Sequence, residues 1–112
     1  MKFVFLAVPA LMVAACAPQP PSTPAESEAR RAAAFEYTAN RCVQQAGGFS
    51  DSIAIQKEAT ARYAKARALG ATEQQIAEQR QIVKNAAAGA EFWVGKDDAC
   101  EDLVANVARV AS

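Results

Sequence analysis

Residues 66–76 read ARALGATEQQI, and this stretch decides the fold. A helical pattern stops at Gly70, because glycine is a poor helix former and is common directly after a helix end. Thr72 and Gln75 then form a capping box, in which each side chain bonds to the backbone N–H of the other residue, and a second helix begins. Because the connection is short, the two helices are predicted to run antiparallel.

The same signals recur along the rest of the chain. The other predicted helix starts are Thr23 with Glu26 and Pro24, Asp98 with Glu101, and Ser50 or Asp51. No stretch alternates apolar and polar residues in the manner of a β-strand. Apolar residues instead repeat three and four positions apart, which predicts helices at about residues 25–46, 52–69, 73–94 and 99–110. We therefore predict an all-α fold, a small up-and-down bundle of about four helices.

The cysteines add a covalent link to this bundle. In an up-and-down arrangement Cys42, near the end of the first helix, and Cys100, at the start of the fourth, lie at the same end. Both also fall on the apolar face of their helix. We predict a structural disulfide between them, with a redox pair as the alternative. An alanine-rich domain of this size buries little apolar area, so it needs such a link for stability.

The first fifteen residues are typical of a lipoprotein signal peptide. Lys2 precedes an apolar run, Phe3 to Met12, that is too short to span a membrane. Residues 13–16, VAAC, resemble a lipobox, the motif in which the thiol is alkylated by diacylglycerol before cleavage. Lipidation of Cys16 would also explain the odd number of three cysteines in a secreted chain. Two alternatives stay open: a secretory peptide cut after Ala17, and a coincidental cysteine.

These patterns divide the chain into three parts. Residues 1–15 are the predicted signal peptide, 16–24 the lipidated cysteine with a proline-rich tether, and 25–112 the bundle. The tether is predicted to be extended and to hold the domain roughly 20 Å from the lipid; a ligand for a proline-binding domain is the alternative. The predicted location is the cell envelope, with the domain facing the periplasm. Ala17, by resemblance to lipoproteins generally, favours the outer membrane over the inner one.

Composition excludes several function classes. Lys+Arg and Asp+Glu number 12 each without a run of one sign, so no basic face suited to nucleic acid is expected. Histidine is absent, which excludes a Ser-His-Asp or Cys-His site and His-ligated zinc. No glycine-rich phosphate loop is present. We expect neither an enzyme nor a bound cofactor.

Two charged clusters have both a structural and a functional interpretation. The acidic one could hold a calcium or magnesium ion, but helix capping and the helix dipole explain every member; it comprises Asp97, Asp98, Glu101 and Asp102. The basic one could contact lipid headgroups or peptidoglycan, but a solvated face with Glu58 as a partner is favoured; it comprises Arg62, Lys65 and Arg67.

Phe92 is the most informative departure from the helical pattern, and Tyr37 also lies off the apolar stripe of its helix. Trp93 and Val94 join the predicted apolar stripe of the third helix, whereas Phe92 falls on its opposite side. Either the helix bends at Gly89 and Phe92 folds into the end of the bundle, which we favour, or Phe92 is exposed and is a partner contact or self-association patch.

The order of these features resembles small secreted helical proteins of alphaproteobacteria, a family of unknown function. The features, from residue 40 to 110, are Cys42, the helix end at Gly70, the capping box at Thr72, an aromatic residue and Cys100. Size, helicity and one disulfide also resemble periplasmic acid-stress chaperones of the HdeA kind. The expected function is a lipid-anchored, non-catalytic interaction or accessory module. A stress holdase and a purely structural envelope lipoprotein are the alternatives.

The signal-peptide hypothesis predicts a specific mass for protein purified from membranes. The chain should begin at Cys16 and carry a diacylglycerol adduct, and reduction should add about two mass units as the disulfide opens. Intact-mass spectrometry before and after reduction measures both. An unlipidated chain with free thiols would contradict both the anchor and the oxidising compartment.

Overall fold

The computed structural model describes residues 19–111, which form four helices and no strand. They are α1 (Pro24–Arg41), α2 (Phe49–Ala68), α3 (Glu73–Val94) and α4 (Lys96–Ala111). The all-α prediction is confirmed. The predicted signal peptide and Cys16 lie outside the described residues, and the tether is described only from Gln19 onward. No helix within the described residues is long and apolar enough to cross a membrane.

The turn between α2 and α3 matches the sequence prediction. Gly70 adopts a φ of 105°, and the Ala71 N–H donates to the Ala66 carbonyl at 2.9 Å, which closes the end of α2. Gln75 N donates to Thr72 Oγ1 at 3.1 Å, and Thr72 N donates to Gln75 Oε1 at 2.8 Å. The capping box is therefore complete, and α3 has the predicted bounds.

The turn between α1 and α2 differs from the prediction. The first helix ends at Arg41 rather than near residue 46, because Cys42 leaves the helical region at φ −118° and ψ 41°. Gly47 and Gly48 follow with φ values of 109° and 107°, which turn the chain back. Gly48 is the N-cap of α2, so the predicted caps Ser50 and Asp51 are wrong and lie within the first turn.

At the other two helix starts the capping prediction is right once and wrong once. Thr23 Oγ1 accepts from the Glu26 N–H at 3.1 Å, as predicted, although the Glu26 carboxylate accepts from Ser22 instead of returning to Thr23. The fourth helix begins at Lys96, so Asp98 lies inside it and does not cap it. Gly95, at φ 88°, already separates α3 from α4 and leaves no room for a longer connection.

The helices run alternately up and down, and α1 is the element that packs against all three others. Ion pairing of Arg62 with Glu28 sets α2 antiparallel to α1, and the Cys42–Cys100 disulfide does the same for α4. The pairs Arg30–Gln79 and Arg41–Glu91 show that α3 runs parallel to α1. We call the end of the bundle where α1 ends and α2 begins the distal end.

The core is built mainly from alanine. Ten of the sixteen buried apolar residues among those described are alanines, and the largest contributions come from Phe35, Tyr63 and Ile76. One cluster joins α1 to α2 and α3 around Tyr63 and Ile76, and a second joins Phe35 to Ala59 and Val107. Apart from Ala99 and Cys100 near its start, Val107 is the buried apolar residue that α4 supplies. Packing therefore holds α4 weakly.

This weak packing makes the disulfide the main restraint on α4. Replacing both cysteines, Cys42→Ala with Cys100→Ala, should lower the free energy of unfolding by about 2–4 kcal/mol. Amide hydrogen exchange should accelerate more in α4 than in α1, because α4 loses its covalent link while α1 stays packed on two other helices. Urea unfolding and exchange mass spectrometry measure these effects, with reduced wild-type protein as the control. Equal stability with and without the bond would contradict this account of α4.

Candidate functional site

The predicted disulfide is present and buried. Cys42 and Cys100 are bonded with an S–S distance of 2.10 Å and a Cα–Cα distance of 5.4 Å, and neither residue is exposed to solvent. Burial keeps dissolved thiols from the sulfur atoms, which favours the structural interpretation over a redox pair. The bond ties the end of α1 to the start of α4 and so shapes the distal end.

Phe92, Trp93 and Val94 form an exposed patch at the distal end, which we call the distal aromatic patch. Phe92 is 80% exposed and Trp93 83%. Their rings meet edge to face, with centroids 5.4 Å apart and planes at 87°. A third exposed aromatic residue, Phe49 at the start of α2, lies at the same end of the bundle.

Two predictions about this patch are wrong. Phe92 does not fold into the end of the bundle: α3 continues through Gly89 to Val94, and Phe92 is exposed. Trp93 and Val94, predicted on the buried stripe, are exposed. The physical reason is the different lengths of α1 and α3. Arg41, the last residue of α1, pairs with Glu91, so the residues that follow Glu91 extend beyond the helix on which α3 packs.

The acidic cluster shows no metal-site geometry. Asp97 and Asp98 lie in the first turn of α4, where their charge suits the helix dipole. Asp97 also accepts a hydrogen bond from Gln45 Nε2 at 3.1 Å, which fastens the turn after α1 to the start of α4. Across residues 19–111 no group of three or more acidic or sulfur side chains could hold a metal ion.

The basic cluster on α2 is paired with carboxylates. Arg62 lies 3.1 Å from Glu58, the predicted partner, and 3.5 Å from Glu28. Lys65 is 3.5 Å from the same Glu28, and Arg67 is 2.7 Å from Glu73. Sequence reasoning missed Glu28, a residue of α1 that is only 6% exposed. The cluster therefore connects helices within the domain.

A polar cleft of about 320 Å³ opens between α1 and α3, and we call it the α1/α3 cleft. Its lining residues come from α1 and α3; they are Ala33, Glu36, Tyr37, Asn40, Arg41, Arg80 and Lys84. Sequence reasoning did not single out Glu36, Arg80 or Lys84.

Two arginine–carboxylate pairs border the cleft. Arg80 donates to Glu36 through Nε at 3.0 Å and Nη2 at 3.3 Å, and its guanidinium stacks 4.5 Å from the centre of the Tyr63 ring. Arg41 donates to Glu91 in the same bidentate way, at 3.1 and 3.2 Å. Bidentate pairs fix the orientation of a guanidinium. The cleft therefore has a defined charge pattern.

The surroundings of the cleft move the pKa values of three groups away from neutrality. The hydrogen bond from Arg41 lowers the pKa of Glu91. Burial raises the pKa of Tyr63 to about 12, and burial together with the neighbouring Glu91 raises that of Tyr37. At neutral pH, Glu91 is therefore a carboxylate and both tyrosines are phenols that donate hydrogen bonds, Tyr37 to Glu91 and Tyr63 to Glu36.

A second, apolar groove of about 400 Å³ lies between α2 and α4. Phe35 and Val107 form its buried base, and Ile55 and Val104 line it with half-buried side chains. The groove exists because α2 and α4 both pack on α1 rather than on each other.

The lowered pKa of Glu91 predicts a pH-dependent contribution to stability. The folded state keeps Glu91 ionised at pH values below the ordinary pKa of glutamate. The pair with Arg41 therefore stabilises the fold fully above the pKa that Glu91 has in the unfolded chain. This stabilisation is lost as the pH falls through the lower pKa that Glu91 has in the folded protein. Glu91→Gln should therefore lower stability at about pH 7 and be nearly neutral at about pH 2.5. Urea unfolding at the two pH values measures this.

Glu101→Gln is the control, since Glu101 is exposed and has no ion pair within the described part of the chain. The control should not show the pH-dependent difference. A Glu91→Gln variant as stable as the wild type at neutral pH would show that the Arg41–Glu91 pair contributes nothing.

Comparison with known proteins assigns no function to this geometry. No protein-family model matches the chain, and no curated protein or solved structure matches it. The resemblances described above therefore stay predictions.

Proposed function

We propose that the chain is a lipid-anchored bacterial envelope protein that acts as a non-catalytic interaction module and holds another envelope protein through the distal aromatic patch. The observation that carries the proposal is the exposure of Phe92 and Trp93, two large aromatic side chains side by side at the end of one helix. The lipid anchor is the one predicted on Cys16 from residues 13–16.

The position of the patch suits a partner away from the membrane surface. The tether leads into α1 at Pro24, and α1 has 18 residues, which span about 27 Å. The distal aromatic patch lies beyond the far end of α1, because Glu91 is already level with Arg41. An anchored domain would therefore present the patch on the side opposite its tether. The proposed surface faces the periplasm, from the outer membrane in preference to the inner one.

The patch is also held in a defined position before any partner arrives. Glu91, the residue that precedes it, accepts hydrogen bonds from Arg41 and Tyr37. On its other side, α4 begins after a single glycine and is joined to α1 by the disulfide. A preorganised surface loses little conformational entropy on binding. Aromatic residues in such a position are also frequent among the side chains that dominate binding energies.

The test compares a charged substitution in the patch with one at the opposite end. Phe92→Glu should leave helix content and melting temperature nearly unchanged, since substitutions of exposed residues usually alter stability by less than about 0.5 kcal/mol. The same variant should abolish cross-linking, in intact cells, to the partner captured by wild-type protein. Circular dichroism and cross-linking followed by mass spectrometry provide the two measurements.

Leu69→Glu is the matched control. Leu69 is 49% exposed and follows α2 at the end opposite the patch, so this variant should keep the partner. Three results would contradict the proposal: the Phe92→Glu variant unfolds, the Phe92→Glu variant keeps the partner, or the Leu69→Glu variant loses the partner to the same extent. Loss of a self-associated species in sedimentation would identify the partner as a second copy of this chain.

A stress holdase is the second candidate, and the alanine-rich core favours it. Such a core gives up little apolar contact when helices separate, and acidification weakens the pairs of Glu91 and Glu73, whose pKa values are lowered by Arg41 and Arg67. The holdase function predicts that the protein suppresses aggregation of client proteins at low pH. A protein without this activity in an aggregation assay would exclude the holdase function. Absence of both a partner and holdase activity would leave the purely structural role.

A further inference from the structure

We propose that the α1/α3 cleft binds a small molecule that carries a carboxylate or phosphate group. This site is separate from the distal aromatic patch and does not depend on the function proposed for that patch. The observations behind it are the volume of the cleft, the excess of positive charge in its lining, and a lysine that has no carboxylate partner.

The cleft has the size of a small-molecule site. Its volume of about 320 Å³ lies at the lower end of the range of ligand pockets, roughly 300–1,000 Å³. The buried Ala33 provides a small side chain at its base, and the half-buried Tyr37 provides an aromatic one. A compact ligand could thus place an apolar part against these residues and direct a polar group toward the charged rim.

The charges of the lining favour an anion. Three cations, Arg41, Arg80 and Lys84, face the cleft, against one carboxylate, that of Glu36. Even when Glu91 is counted as the partner of Arg41, one positive charge remains in excess. A cationic ligand would add to this excess, whereas an oxyanion would neutralise it.

Lys84 is the source of the excess. Within the described residues it forms no ion pair, whereas the two arginines beside it are held by carboxylates. Lys84 lies one helical turn after Arg80 on α3, so the ammonium and the guanidinium can reach the same ligand. The geometry assigns to Lys84 the main contact with the anion.

The arginines and Asn40 supply further donors. Each guanidinium uses Nε and Nη2 for its carboxylate, and Nη1 of Arg41 and Arg80 donates no hydrogen bond within residues 19–111. The exposed side chain of Asn40 adds an amide donor on the α1 side of the cleft. Guanidinium and amide N–H groups suit carboxylate and phosphate oxygens alike, so the proposed ligand carries either of these two groups.

The test is an NMR titration of the full domain with two probes, inorganic phosphate and succinate, each at constant ionic strength. Amide signals of residues 33–41 and 80–84 should shift to saturation with at least one probe, with a dissociation constant of about 1 mM or lower. Lys84→Met removes the ammonium and keeps the length of the side chain. It should weaken binding about tenfold, as expected for loss of a charge-assisted hydrogen bond.

Lys57→Met is the matched control, because Lys57 is an exposed lysine of α2 that has no ion pair in the described chain. It should bind like the wild type. Saturation with phosphate alone or with succinate alone supports the site and identifies the ligand group. Shifts that stay linear with both probes, or equal weakening by the two lysine variants, would overturn the proposal. Neither result bears on capture of a partner by the distal aromatic patch.

Discussion

The arrangement of the whole domain depends on the small side chains of α1. Alanines at positions 25, 29, 32, 33 and 39 are buried, and they let neighbouring helices approach the α1 backbone from several directions. Three helices can therefore surround one central helix in a chain of 112 residues. Among the outer helices α3 and α4 pack on each other, whereas α2 has little contact with either of them. The apolar groove between α2 and α4 is a consequence of this packing.

Alanine packing also explains the need for polar and covalent restraints. Small side chains bury little apolar area, so each contact contributes little to stability. The domain adds ion pairs that reach from α1 to α2 and to α3, such as Glu28 with Arg62 and Arg41 with Glu91. The last helix, in which Val107 is the one large buried apolar side chain, is the helix that carries the disulfide.

Sequence reasoning predicted the features that depend on local signals. The helix class, the capping box at Thr72 and the pairing of Cys42 with Cys100 follow from glycine positions, cap residues and periodicity. The end of α1 could not be placed, because the periodic apolar residues continue past Cys42 while the backbone already turns toward Gly47 and Gly48. The exposure of Phe92 could not be predicted, because periodicity does not tell how far a neighbouring helix extends.

The α1/α3 cleft depends on information that no single helix carries. Glu36, Arg80 and Lys84 meet because α1 and α3 run parallel with a fixed offset, shown by Arg30 with Gln79 and Arg41 with Glu91. Each of these residues reads in sequence as an ordinary charge on a solvated helix face. A search for opposite charges with the same spacing on α1 and α3 could have suggested the register between these two helices.

The disulfide at the distal end links the stability of this protein to the redox state of its surroundings. In a compartment that keeps thiols reduced, α4 would be held to the domain by Gly95, the hydrogen bond from Gln45 to Asp97 and a few buried side chains. A chain retained there would expose its last helix to proteases more often than an oxidised chain, because local opening is less costly. The redox state of the compartment would then influence how long a copy survives.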